Sequence, residues 1–251
     1  MNARIQRRAL LCELHAHSTW SDGTLTLREL ADLYGRAGFD VLCVTDHVLA
    51  CDDPWLLSQR RAKKRASHVN DLNYAAYLES IDAEAERARA LYDLLVVPGL
   101  ELTLNHAEPA QAAHALAIGL REYVSLDHGI VDALRAARES GAALVAAHPH
   151  GEDLDAVPLR TTQRFYREWE ELAPLVDRVE LFNGHDVFTW VAERRLPGVA
   201  SGDFHRVEHV SSWKTLLPCR RHERALVDYL RSPGPAYLLP FRADAAEQEA
   251  A

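Results

Sequence analysis

The sequence predicts an α/β protein in which short buried strands alternate with amphipathic helices around a parallel sheet or barrel. Three observations predict it. Short apolar, partly β-branched runs recur along the 251 residues and are separated by longer stretches of helical periodicity. Some runs, such as AALVAA at 142–147, are apolar without alternation, the pattern of a strand covered on both faces. Histidines and acids gather just after these runs, where the strand ends of a barrel converge.

Taken in order, strands are expected at 9–13, 41–45, 94–97, 113–119, 143–147, 178–182 and 199–201. The first helix is expected at 26–37, opened by a Thr26/Glu29 capping box and stopped near Gly38, with Leu27, Leu30, Leu33 and Tyr34 on one side. A longer helix is expected at 70–91, buried through Leu72, Ala75, Ala76, Ile81, Ala85 and Ala88. Further helices are expected at 130–139, 162–172, 187–194 and 223–230. Residues 50–69 interrupt the rhythm with the basic stretch QRRAKKRASH and are the expected loop insertion over the active site. The Ala- and Glu-rich tail, 242–251, is expected to fray. With no internal repeat and no linker rich in Pro, Gly or Ser, residues 1–251 read as a single domain.

A formal net charge of -9, without a basic run long enough to coat a nucleic-acid backbone, speaks against a dedicated DNA-binding protein. It leaves a nucleotide substrate open, because divalent cations reverse the field inside an acidic pocket. Cys12, Cys43, Cys51 and Cys219 lack the short paired spacings of zinc ribbons or redox motifs, so free thiols in a reducing compartment are expected. No apolar run suits a signal peptide or a membrane span. A cytoplasmic location is therefore expected, with no membrane and no protein partner.

The chemistry-bearing residues fall at strand ends. His15 and His17 follow the first strand with Asp22 beyond them, Asp46 and His47 end the second, and Glu101 closes PGLEL. His148 ends AALVAA, and Asp203 with His205 follows the last strand. His114, at a strand start, is the placement that parallel strands do not explain. Two residues apart on extended chain, His15 and His17 point to the same side, as do Asp203 and His205. Imidazoles and carboxylates together suit zinc, manganese or iron, and so many in one pocket imply more than one ion. Without metals the clustered carboxylates would repel one another at high cost.

His150 and His185, which also follow expected strands, are candidates for contact with substrate or with the ligands. Asp46 is expected to orient its surroundings rather than to bind metal. Arg206, Lys214 and Arg160 are candidate phosphate anchors, with 60–65 a looser one, since guanidinium grips phosphate in a bidentate fashion and ammonium acts as a point charge. His68, His128, His209 and His222 are expected at the surface or in caps, and Trp20, Trp169 and Trp190 in packing.

The segments HAHSTWSDG, TDH, GLE, HALAIGL, AHP and GDFH resemble, in order, the metal-binding motifs of the PHP superfamily, named for polymerase and histidinol phosphatase. The resemblance spans residues 9–217, and its form is most similar to the stand-alone bacterial phosphoesterases. It implies a distorted (β/α)7 barrel with the active site at the carboxyl ends of the strands. It also implies two or three divalent ions (Mn2+, Zn2+ or Fe2+). Carried over, His15, His17, Glu101 and Asp203 would hold one ion. Glu101, His114 and His148 would hold a second, and Asp22, His47 and His205 a third.

The implied reaction is hydrolysis of a phosphomonoester or phosphodiester by a metal-bridging hydroxide, since bound metal lowers the pKa of water toward 7. The implied substrate is a small metabolite, a nucleotide or a short single-stranded nucleic acid. Two alternatives stand beside it: amidohydrolase-like cleavage of a C–N or ester bond, and a non-catalytic metal-binding module.

Overall fold

The computed structural model describes residues 9–62, 67–152 and 162–243. Its strands are β1 (Leu10–Glu13), β2 (Val41–Val44), β3 (His47–Leu49), β4 (Leu95–Leu104), β5 (Ala113–Ile118) and β6 (Ala143–Ala147). They continue as β7 (Arg178–Asn183), β8 (Asp186–Val187), β9 (Gly198–Ser201), β10 (Trp213–Leu217) and β11 (Tyr237–Pro240). All belong to one sheet, ordered β11-β10-β1-β2-β4-β5-β6-β7-β8, with β3 on β4 and β9 on β7. The helices are α1 (Leu27–Arg36), α2 (Pro54–Arg61), α3 (Tyr74–Tyr92), α4 (Ile130–Glu139), α5 (Arg164–Arg167), α6 (Trp169–Leu172), α7 (Thr189–Glu193) and α8 (Glu223–Leu230).

The sheet curls until its arms meet. Past β1, Ala16 bridges Phe204 in parallel: the His17 N–H donates to the Phe204 carbonyl at 2.8 Å, and the Phe204 N–H to the His15 carbonyl at 3.0 Å. On the neighbouring strand β10, the Thr215 hydroxyl donates to the Ala200 carbonyl (2.7 Å) and accepts from its N–H (2.8 Å), tying β10 to β9.

Because side chains alternate across a strand, curling divides the core in two. Cys12, Val41, Cys43, Val97, Leu116, Ile118, Val145 and Val199 fill the concave side, joined by Leu226, Val227 and Leu230 of α8. The residues between them, Leu42, Val44, Val96, Leu100, Ala115, Ala117, Leu144 and Ala146, face the convex side under α1, α3 and α4. Burial on both faces explains the unbroken apolar strands.

Helix α1 has the expected cap. Glu29 N–H donates to the Thr26 hydroxyl (3.3 Å), Glu29 accepts from the Thr26 N–H (2.8 Å), and Gly38 beyond the helix takes φ +77°. Helix α3 departs from expectation. Its buried stripe is Tyr74, Tyr77, Ile81 and Ala88, while Ala75 and Ala76 are exposed and Leu72, before the helix, is 91% exposed. Two phenols set its phase, the Tyr74 hydroxyl donating to the Leu120 carbonyl (3.0 Å) and that of Tyr77 to the Gly99 carbonyl (3.1 Å). A hydropathy stripe that favours Leu and Ala cannot register those bonds.

The all-parallel expectation fails at β5, which runs antiparallel to both β4 and β6. The helix expected at 162–172 is two single turns, α5 and α6, and that at 187–194 is the β8 edge followed by the short α7. The 50–69 segment is not all loop: α2 occupies its first half, capped by the Asp53 carboxylate, which accepts the Leu56 N–H at 2.9 Å. Residues 63–66 of that segment and 244–251 of the tail lie outside the described residues. No helix among the described residues is long and apolar enough to cross a membrane.

Candidate metal centre

The reversal of β5 accounts for His114. In the β4–β5 register Thr103 faces His114, and in the β5–β6 register His114 faces Ala147, the residue before His148. The start of β5 therefore lies beside the carboxyl ends of β4 and β6. Glu101 shares strand parity with Val97, and His114 with Leu116, so both side chains rise from the concave core.

Two ligand-bearing residues sit in strained backbone, His148 at φ +29° and Asp203 at φ +47°. Non-glycine residues hold such conformations only where their surroundings fix them, and functional sites are where they collect. Preceding Asp203, Gly202 has no room for a side chain: a Cβ would stand 2.4 Å from Lys214 Nζ and 2.6 Å from Glu13 Oε2. On the other side, the loop from Ser18 to Asp22 is wrapped around buried Asp46. That carboxylate accepts the Ser18 N–H (2.8 Å) and hydroxyl (2.8 Å) and the Ser21 N–H (3.0 Å) and hydroxyl (2.6 Å). Asp46 thus shapes the loop that carries Asp22 and stands outside the ligand cluster.

Glu101, fully buried, is at the centre. Its Oε1 meets His114 Nδ1 at 3.0 Å and His148 Nε2 at 3.1 Å, and its Oε2 meets His47 Nδ1 at 2.7 Å. His15 Nε2 and His17 Nε2 each lie 3.4 Å from Glu101 Oε2 and 3.4 Å from Asp203 Oδ1. Asp22, its side chain 45% exposed, reaches His47 Nε2 at 3.3 Å and His205 Nε2 at 3.2 Å at the mouth. Three groups have ligand atoms within 4.8 Å of one another: His15, His17 and Asp203; His15, Glu101 and His148; and His17, Asp22, His47 and His205. His114 belongs to none of the three and enters through its contact with Glu101.

His15 Nε2, His17 Nε2 and Asp203 Oδ1 are buried without a hydrogen-bond partner among the described residues, and both imidazoles also face the buried Glu101 Oε2 that meets His47. An unpaired buried polar atom costs about 1–3 kcal/mol, so three grouped together need a common partner. Two donor atoms that share an ion about 2.1 Å away stand about 3.4 Å apart, the distance from each of these two imidazoles to Glu101 and to Asp203, so this donor set fits a divalent metal. Electrostatics agree. Burial opposes charge on His15, but Asp203, Glu101 and Glu180 outweigh it and hold the imidazole well above its usual range. Carboxylates likewise outweigh burial at His47, His148 and His205. His17, buried and facing His205 and His47, is pushed down to about 3. The carboxylates call for positive charge at their centre.

Of the remaining sequence candidates, Lys214 is placed against expectation. Its ammonium is fully buried, 2.5 Å from Glu13 Oε2 and 2.7 Å from the Ser212 hydroxyl, and so braces β10 against β1 instead of meeting solvent phosphate. Arg206 is exposed beside His205, and Arg160 lies outside the described residues. His150 is half-buried, edge-on to Phe188, and burial first and His148 second push it down to about 4. His185 is exposed in the β7–β8 turn. Trp20 packs edge-on to Tyr77 against the convex core.

Sequence reasoning missed the residues that hold the histidines. Glu180 Oε1 stands 3.1 Å from His15 Nδ1, and the Thr103 hydroxyl 2.8 Å from His47 Nδ1. Asn105 Oδ1 stands 3.1 Å from His114 Nε2, while the Asn105 amide donates to Asp53 at 3.0 Å, linking the α2 segment to that histidine. Glu13 accepts the His15 and Gly202 N–H groups (3.1 and 2.9 Å) and the Tyr34 hydroxyl (2.9 Å). The available signal was a Glu inside the apolar strands LLCE and RVELFN, where burial on both faces leaves no solvent for a carboxylate.

No family model matches the chain. It is 25% identical over 219 residues to the DNA polymerase/3'-5' exonuclease PolX of Bacillus subtilis, a match covering 83% of the chain but 36% of that protein. A crystal structure of a two-domain Bacteroides vulgatus protein containing a predicted PHP-like metal-dependent phosphoesterase superposes with a TM-score of 0.63 at 20% identity. That superposition covers 92% of this chain and 64% of the other, and it shows a shared fold. A Bifidobacterium adolescentis protein described as a candidate metal-dependent phosphoesterase and an amidohydrolase of Chromobacterium violaceum overlap only at TM-scores of 0.45 and 0.46. Overlap so loose carries no argument.

Proposed function

We propose that this chain, whose fold and ordered ligand motifs are those of the PHP superfamily, is a metal-dependent phosphoesterase. The observation that carries the proposal is the meeting of two buried imidazoles with two carboxylates, His15 Nε2 and His17 Nε2 each standing 3.4 Å from both Glu101 Oε2 and Asp203 Oδ1. Those four residues would hold one divalent ion. Glu101, His114 and His148 would hold a second, and Asp22, His47 and His205 a third, with Mn2+, Zn2+ or Fe2+ as candidates. The curled sheet is read as a distorted (β/α)7 barrel, closed where Ala16 meets Phe204, with the site at the carboxyl ends of its strands.

Divalent ions held there supply Lewis acidity toward phosphoryl oxygens and a nucleophile available near neutral pH. The protein's part is position. Glu101 joins the three groups, Thr103 and Glu180 fix the rings of His47 and His15, and Asp46 holds the loop that brings Asp22 to the mouth. Exposed Arg206, next to His205, is the proposed phosphate contact, with Arg160 a second. The α2 segment, anchored through Asp53 and Asn105 to His114, is proposed as the active-site insertion.

The substrate class proposed is a small phosphorylated metabolite, a nucleotide or a short single-stranded nucleic acid. Support comes from the resemblance to a 3'-5' exonuclease, although the chain spans about a third of that protein. The test is release of phosphate or nucleotide from aryl mono- and diesters, nucleotides and short oligonucleotides, with elemental analysis before and after adding Mn2+ or Zn2+. Metal-dependent release from a phosphate ester is expected. Cleavage of an aryl carboxylic ester alone would favour the amidohydrolase-like reading, and bound metal without turnover a non-catalytic module.

A further inference from the structure

Glu180 is 0% exposed, and its two oxygens receive four groups. Oε1 takes the Ser201 hydroxyl in a short hydrogen bond and faces His15 Nδ1 at 3.1 Å. Oε2 accepts the His148 backbone N–H at 2.7 Å and the Asn183 amide at 2.8 Å. Three of these partners carry the proposed ligands: His15 after β1, His148 after β6, and Ser201 two residues before Asp203. The other two of those ligands, His148 and Asp203, are the ones with positive φ.

We infer that Glu180 is the positioning residue of the metal centre, fixing His15 with its hydrogen on Nδ1 and tethering the strands that present His148 and Asp203. This rests on the metal reading of the cluster. A carboxylate only accepts, so a ring nitrogen at hydrogen-bond distance from it must donate. The hydrogen is thereby held on Nδ1, and Nε2, which has no hydrogen-bond partner among the described residues, is the nitrogen left to give up its proton to an ion. The His148 N–H bond serves a second purpose. A residue at φ +29° persists only under outside constraint, and a buried carboxylate accepting its N–H is such a constraint.

Glutamine at position 180 is nearly isosteric yet brings two hydrogens to a site surrounded by donors. Whichever way it turns, its NH2 faces either Ser201 and His15 or His148 and Asn183. Glu180→Gln therefore turns one of the two acceptor oxygens into a donor, facing donors on either side, without opening a cavity.

The experiment is equilibrium dialysis of metal-free wild type, E180Q and Asn183→Ala against Zn2+ and Co2+. The visible spectrum of each cobalt form and the circular dichroism of each metal-free form are read alongside. Asn183→Ala perturbs the surroundings of Glu180 but leaves the His15 contact. The expected result is an E180Q protein with wild-type circular dichroism, about 10–100-fold weaker affinity for its tightest ion and an altered cobalt spectrum. Asn183→Ala is expected to match wild type. Wild-type affinity and spectrum in E180Q, or equal weakening in both variants, would overturn the inference.

Should E180Q not fold, ring nitrogen NMR of the wild-type zinc protein decides. His15 is expected to carry hydrogen on Nδ1 and zinc on Nε2, and hydrogen on Nε2 would overturn the assignment. A wild type that takes up no ion would instead remove the metal reading, and this inference with it.

Discussion

Glu101 and His114 stand on neighbouring antiparallel strands with Oε1 and Nδ1 3.0 Å apart, a contact that exists because β5 runs against both of its neighbours. The same oxygen lies 3.1 Å from His148, and the other lies within 3.4 Å of His15, His17 and His47. Replacing this carboxylate should therefore scramble more than one ion. For Glu101→Gln the expected result is loss of at least two ions from the elemental analysis and a fall in turnover of more than about 100-fold, beyond what an outer residue costs. Full occupancy in that variant would remove Glu101 from the centre.

Lys214 offers a contrast between anchor and brace. Its ammonium lies 2.5 Å from Glu13 with both side chains fully buried. Removing one partner of a buried pair leaves an uncompensated charge, at a cost of about 3–5 kcal/mol. Lys214→Met should thus lower the midpoint of urea unfolding markedly. A phosphate anchor would behave otherwise, raising KM while the unfolding midpoint stays in place, and the two measurements together separate the roles.

The positions of these residues differ in how far the sequence could reveal them. Two strand ends were legible because the apolar runs end abruptly before Asp46 and His148, and α1 because its capping box is local, whereas β4 runs through Glu101 to Leu104, well past the strand expected at 94–97. Strand direction was not. Nothing within HALAIGL states that it pairs backwards with both neighbours, so His114 looked misplaced. The stripe of α3 was misread because phenol hydrogen bonds, not aliphatic burial, set its phase. Glu13 and Glu180 were passed over since their roles depend on partners 189 and 165 residues away.

Binding of ions should raise thermal stability, because the native centre gathers donors that an unfolded chain disperses. A ligand present at about 100 times its Kd stabilises by about 2.7 kcal/mol, and for a chain of this size each kcal/mol moves Tm by about 2–4 °C. Protein stripped with a chelator and then reloaded should regain roughly 5–11 °C in Tm at that excess. Equal melting of stripped and reloaded protein would mean that the cluster holds no ion.

Loading should also release protons. Burial disfavours a charged imidazole, yet Glu101, Asp203 and Asp22 outweigh it at His15, His47, His148 and His205, holding all four above the usual imidazole range in the metal-free protein. A base whose pKa is raised keeps its proton to higher pH than a free imidazole does, and an ion that binds such a ring must displace it. His17, pushed down to about 3, is already neutral near neutral pH and contributes none. The sign follows: binding releases protons, and apparent affinity weakens as pH falls through neutrality. Titration calorimetry in two buffers of different ionisation enthalpy reads the number directly. At pH 7 at least one proton should leave for each chain filled, and an unchanged heat in both buffers would mean that the histidines are neutral before the ions arrive.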